Sequence, residues 1–91
     1  MREKQIEQKL VIEVKKSDGL CFKLTGMIGI PDRMVLMPHG KIGFVEVKAL
    51  GKKPRAIQVK RITLLRGLGF KCFVLDDVAK IGGIIHEIQS T

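Results

Sequence analysis

The chain has 91 residues, which is enough for one domain with one buried core and leaves little room for accessory modules. Seventeen Lys and Arg against nine Asp and Glu give a formal charge of +8, which points to a polyanionic partner such as nucleic acid. Four Phe with no Trp or Tyr leave little material for a base-stacking platform, which argues against a simple single-strand-binding module.

Taken in chain order, Ile6, Leu10, Val11 and Val14 recur at helical spacing between Arg2 and Lys16, and Asp18-Gly19 follows where a helix should stop. Leu20 to Leu24 reads as a short strand, and Thr25 to Gly29 as a loop leading to Pro31. A second strand is predicted from Asp32 to Met37, a tight turn over Pro38 to Lys41, and a partner strand from Ile42 to Ala49. The basic loop Leu50 to Pro54 precedes a second helix, with Pro54 at its start and Ile57, Ile62, Leu65 and Leu68 as its apolar stripe. Phe70 to Leu75 is the fourth strand. Asp76-Asp77 can cap a terminal helix from Val78 to Ile88, which Gly82-Gly83 weakens. The order is αβββαβα, with no linker or repeat, so residues 1–91 are expected to form a single domain.

Cys21 and Cys72 each sit in a short apolar run, without the spacing of a zinc site or a disulfide framework, and read as core residues in a reducing cytosol. The chain opens on Arg2, Glu3 and Lys4, and no apolar run approaches the roughly 20 residues needed to span a bilayer. A soluble, cytoplasmic protein with no membrane partner is expected.

Side chains alternate along a strand, so Glu46 and Lys48 share one face. Folding the hairpin about residues 38 to 41 brings Asp32 alongside them. Two carboxylates placed close together in a buried site call for a cation between them, and hard oxygen ligands favour Mg2+ or Mn2+ over zinc. Metal and lysine together supply what phosphodiester hydrolysis needs. An E-x-K triplet alone is more often an ordinary surface salt bridge. Two further polar residues add to it. With Ile6 as origin and about 100° per residue, Leu10, Val14 and Val11 fall near ~40°, ~80° and ~140°, and Glu7 near ~100°, inside the stripe. Gln58 likewise aligns with Ile62 and Leu65. Inward polar groups need partners. Glu3 also maps near the stripe, but in the first turn, where the helix dipole by itself favours a carboxylate.

The motifs Gly29-Ile-Pro-Asp-Arg33, Phe44-Val-Glu-Val-Lys48, Gly51-Lys-Lys-Pro54 with Gln58, and Leu68-Gly-Phe70 before a strand together resemble the virus-type replication-repair nuclease (VRR-NUC) family. That family lies within the PD-(D/E)xK superfamily. The resemblance runs from Glu7 to Asp76. It implies an α/β, restriction-endonuclease-like αβββαβ(α) core with a central mixed sheet flanked by helices. It also implies a metal-dependent endodeoxyribonuclease in which Asp32, Glu46 and the Val47 backbone carbonyl bind Mg2+ or Mn2+. Lys48 matches the catalytic lysine, Glu7 the glutamate of the first helix, and Gln58 the glutamine of the next. Stand-alone members look like phage homodimers that resolve four-way (Holliday) junctions or cut flaps. Members often carry arginines where this chain has Met27-Ile28, so phosphate contact is expected to fall to Arg33, Lys52, Lys53 and Arg55. Ile81, Ile84, Ile85 and Ile88 would serve either as a pairing surface or as core. Two other readings remain at this point: a flap or duplex nuclease of the same fold, and a catalytically silent DNA-binding module. A partner-binding protein of regulatory type would explain the charge but not the inward Glu7 and Gln58.

Overall fold

Ile6, Leu10 and Val14, spaced i, i+4, i+8, are fully buried and fix the inner face of the first helix, α1 (Glu3–Lys16). Glu3 in its first turn and Lys15 and Lys16 in its last both complement the helix dipole. Asp18, with φ of 64°, then turns the chain out of the helix. The computed structural model describes residues 1–90, so Thr91, the last residue of the expected domain, lies outside the described residues.

Strands β1 (Leu20–Lys23), β2 (Arg33–Met37) and β3 (Lys41–Val47) form an antiparallel meander. The turn between β2 and β3 is a single 3-10 turn over Pro38–Gly40, with His39 at φ 69° in the left-handed region. Helix α2 (Ala56–Gly67) crosses over and returns the chain as β4 (Lys71–Leu75), parallel to β3, so the sheet is mixed with order β1-β2-β3-β4. Pro54 lies just before the N-cap, Arg55, rather than inside the helix. The expected last helix divides in two. Asp77 accepts a hydrogen bond from the Ala79 N–H at 3.0 Å and caps a 3-10 turn over Val78–Lys80, and α3 (Ile81–Gln89) follows directly. Gly82 and Gly83 are tolerated inside α3 because its packing face is all isoleucine.

α1 and α3 cover one face of the sheet, where they bury Val35, Val45, Val47 and Leu75. α3 sits on the sheet because Gly43 has no side chain: a Cβ there would lie 2.5 Å from Ile88 Cδ1. Ile81, Ile84, Ile85 and Ile88 all belong to this core, which decides between their two readings in favour of core. α2 covers the other face over β3 and β4, where Ile62 packs on Phe44 and Cys72. Burial there pushes the Cys72 thiol up to about 11, so it stays protonated and inert at neutral pH. No helix is long and apolar enough to cross a membrane among the described residues.

On the α2 face the register sets side chains in rows across the strands. Leu20, Leu36 and Ile42 align at one end, with Phe70 next in line, its ring edge-on to Phe44 at 5.7 Å between centroids. Phe22, Met34, Phe44 and Cys72 form the next row. Beyond it, at the other end of the face, stand Asp32 and Glu46.

Candidate active site

Asp32 immediately precedes β2 and Glu46 is the penultimate residue of β3. Asp32 is fixed by the chain itself: the Val47 N–H donates to its Oδ2 at 2.9 Å, and the Leu24 N–H donates to its backbone carbonyl at 2.9 Å. A strand residue points its N–H and C=O to the same side, so the Val47 carbonyl also faces the Asp32 side. The Lys48 N–H points the other way and donates to the Leu75 carbonyl at 2.8 Å.

Glu46 is 1% exposed. Its Oε2 accepts a hydrogen bond from Gln58 Nε2 at 2.7 Å and lies 3.3 Å from Lys48 Nζ, whereas its Oε1 is buried with no partner. Gln58 is held in turn, because its Oε1 accepts from the Arg55 N–H at 2.8 Å in the capping position of α2. One side chain therefore both caps the helix and clamps the carboxylate, which explains why a glutamine occupies the inner face. Burial, and next the charge of Asp32, raise the Glu46 carboxyl above its ordinary value, while Lys48 pulls it back down.

The loop that delivers Asp32 is anchored on α2. Gly29, at φ 82°, packs so closely that a Cβ would lie 2.8 Å from Ile57 Cγ1 and 2.9 Å from the Ile57 carbonyl oxygen. Arg61 Nε donates to the Ile28 carbonyl at 3.0 Å. Gly29→Ala is expected to cost roughly 1–3 kcal/mol of stability, from left-handed strain together with a backbone clash that cannot relax. Thermal unfolding measures this, and a melting temperature equal to wild type would mean that the loop is not held by this contact.

The structure brings Asp32, Glu46, Lys48, Gln58 and the Val47 carbonyl together, and it separates two other expected residues from them. Glu7 lies on the α1 side of the sheet, where its Oε2 accepts from Arg33 Nε at 2.7 Å and lies 3.9 Å from Lys23 Nζ. Arg33 alternates with Asp32 and so points to the opposite face. Its guanidinium is mostly buried and paired with Glu7, so the structure sets Glu7 and Arg33 on the face opposite Asp32 and Glu46. The α1 carboxylate whose charge reaches Glu46 is Glu3, which adds to the upward shift. The start of the chain is tied to this end of the sheet by the Leu50 N–H, which donates to the Met1 carbonyl at 3.2 Å. By helical phase Glu3 lies near the apolar stripe, in the first turn, where the helix dipole also favours a carboxylate. Lys52, Lys53 and Arg55 are exposed on the segment between β3 and α2, beside the site.

Glu46 Oε1, buried and unpartnered beside a second carboxylate, suits a hard cation. Among the described residues no three His, Cys, Asp or Glu side chains converge. Two carboxylates and a carbonyl match the sparse protein ligation of magnesium, which keeps places for water and substrate phosphate.

No family model matches the sequence. A protein provisionally named nuclease p44, from Acyrthosiphon pisum secondary endosymbiont phage 1, is 46% identical over 78 residues, or 84% of each chain. A solved structure described as a VRR-NUC domain matches with a TM-score of 0.85 at 29% identity, over 92% of this chain and 94% of that one. With a fold match of this extent at 29% identity and a nuclease relative 46% identical over most of both chains, the chain belongs to the VRR-NUC family of nucleases.

Proposed function

We propose that residues 1–91 form a single catalytic domain acting as a divalent-metal-dependent DNA endonuclease on branched substrates, four-way junctions foremost, as a homodimer. The observation that carries this reading is the Glu46 carboxylate, buried beside Asp32, with one oxygen clamped by Gln58 and the other free to ligate. Asp32, Glu46 and the Val47 carbonyl would hold Mg2+ or Mn2+. Such an ion, when bound, polarises the scissile phosphate and lowers the pKa of a water nucleophile.

The chain's own groups do the rest. The Val47 N–H keeps the Asp32 carboxylate aimed at the site, and Gln58 keeps Glu46 from rotating away. The Lys48 ammonium, held beside Glu46, supplies positive charge where the phosphorane builds up negative charge, and a hydrogen-bond donor that orients the attacking water. Lys52, Lys53 and Arg55 bind flanking phosphates, which makes affinity fall with salt at a log–log slope of about −0.9 per phosphate neutralised.

Cleavage of labelled four-way junction, flap and plain duplex DNA in Mg2+, Mn2+, Ca2+ or chelator tests the reading. Symmetric junction cuts in Mg2+ or Mn2+, none in chelator and tight binding without cutting in Ca2+ are expected. Cutting in chelator would refute metal dependence. Preference for flaps or linear duplex would keep the chemistry and overturn the substrate, and binding without cutting in every metal would leave only a DNA-binding module.

A further inference from the structure

At the tip of the loop that delivers Asp32, Met27 is 51% exposed and Ile28 79%, more than any other large apolar side chain in the chain. A single exposed apolar residue is common and needs no explanation. Here two adjoin at the apex of a turn that is pinned in three ways. The Ile30 N–H donates to the Met27 carbonyl at 3.2 Å, which closes a four-residue turn with Ile28 and Gly29 at its corners. Gly29, at φ 82°, supplies the left-handed second corner and packs against Ile57, and Arg61 Nε holds the Ile28 carbonyl. The backbone of the tip is thus fixed while its apolar side chains stand in solvent.

The tip also stands at the rim of the candidate active site. Ile57 and Arg61, which hold it, flank Gln58 on α2, and Gln58 holds Glu46. Four residues separate Ile28 from Asp32, a span of at most about 14 Å between Cα atoms. Lys52, Lys53 and Arg55 are exposed on the segment that enters the first turn of the same helix. Cations suited to phosphates and a rigid apolar point therefore border one site.

We infer that Met27 and Ile28 form a wedge that enters a base step of the bound DNA and selects substrates in which that step is already unstacked, as at a branch point. The inference rests on the nuclease reading above and names the part of this chain that recognises the branch. Isoleucine and methionine are among the side chains that part base steps, because they replace one apolar contact by another. A continuous duplex must break a stacked step to admit them, whereas a branch or an unpaired stretch has lost that stacking beforehand. A pinned tip suits the task, since a loose one would have to be ordered on insertion. Nucleotides lie about 3.4 Å apart along a strand, so the parted step falls within about four nucleotides of the cleaved phosphate. The wedge takes no part in the chemistry and determines specificity alone.

Four-way junction, flap and plain duplex DNA carrying 2-aminopurine at the branch step, or at the matching duplex step, test this. Fluorescence in Ca2+ reads unstacking, cleavage in Mg2+ reads selectivity, and circular dichroism reads folding. Wild type is expected to raise the fluorescence at the branch and to prefer branched DNA. Met27→Ser/Ile28→Ser, changed only at exposed positions, should lose the fluorescence rise and about 10- to 100-fold of that preference while cutting duplex as wild type does. Two unpaired nucleotides at the branch should restore its cleavage, and Ile28→Leu should behave as wild type. Equal loss on every substrate would mean that the loop only positions Asp32 and would overturn the wedge. Unchanged selectivity and fluorescence in the double variant would also overturn it, leaving the tip to a protein partner and branch selection standing. A wild type that cuts duplex and branched DNA alike, with no fluorescence change, would overturn both the wedge and the branched substrate, and leave the nuclease chemistry.

Discussion

Glu46→Gln is expected to lower cleavage by about a thousandfold or more without lowering the stability of the metal-free protein. The substitution removes the charge that a cation needs and keeps the shape, because an amide oxygen at this position still accepts from Gln58 Nε2. It also removes a charge that the fold pays to bury. In the metal-free protein, burial and the Asp32 charge raise the Glu46 carboxyl above its ordinary value of 4.5. Its protonated form is therefore favoured by folding. The associated stability is fully present below about pH 4.5 and is lost as pH rises through the shifted value. Thermal unfolding in chelator should show this decline in wild type and a flatter profile in Glu46→Gln. Near neutral pH, a divalent metal at 100 times its dissociation constant should restore about 2.7 kcal/mol to wild type and nothing to the variant. A variant that cleaves at the wild-type rate, or that gains the same metal-induced stabilisation, would remove Glu46 from the ligand set.

Lys48→Ala is expected to lower single-turnover cleavage by about 100- to 1,000-fold while retaining stabilisation by metal. Lys48 Nζ lies 3.3 Å from the Glu46 oxygen that Gln58 also holds, so its loss leaves the ligand geometry in place and removes a positive charge from the reacting centre. Lys48 also holds the Glu46 carboxyl down. Without it that carboxyl rises further, and metal-induced stabilisation should need a higher pH than in wild type. A purely structural ion pair predicts the reverse pattern: a lowered melting temperature with the rate unchanged. Cleavage of a labelled junction alongside melting curves with and without metal distinguishes the two.

Much of this architecture was legible in local sequence because period and punctuation act locally. The i, i+4, i+8 spacing of Ile6, Leu10 and Val14 predicts α1 within a residue or two of its observed ends, and Pro38-His39-Gly40 predicts the turn that brings Asp32 to Glu46. The inward direction of Gln58 was also legible, since helical phase depends only on position along the helix. Which partner an inward residue meets depends on where other elements pack. Glu7 points inward as expected, yet α1 lies on the face opposite Glu46, and Arg33 arrives there from β2. A sequence period cannot reveal the side of the sheet on which a helix docks.

The same limit governs the apolar residues. By itself the sequence determined the order of the elements, the sharing of one strand face by Glu46 and Lys48, and the approach of Asp32 across a hairpin, because chain geometry fixes each of these over short distances. Only the tertiary structure decided which apolar residues are core and which are surface. Ile81, Ile84, Ile85 and Ile88 are buried against α1 and the sheet, while Leu20, Leu64 and Leu68, equally apolar in the sequence, stand in solvent. Burial depends on what packs opposite a residue, and α2, only 12 residues long, lies over β3 and β4 while Leu20 and Phe22 on β1 stay exposed.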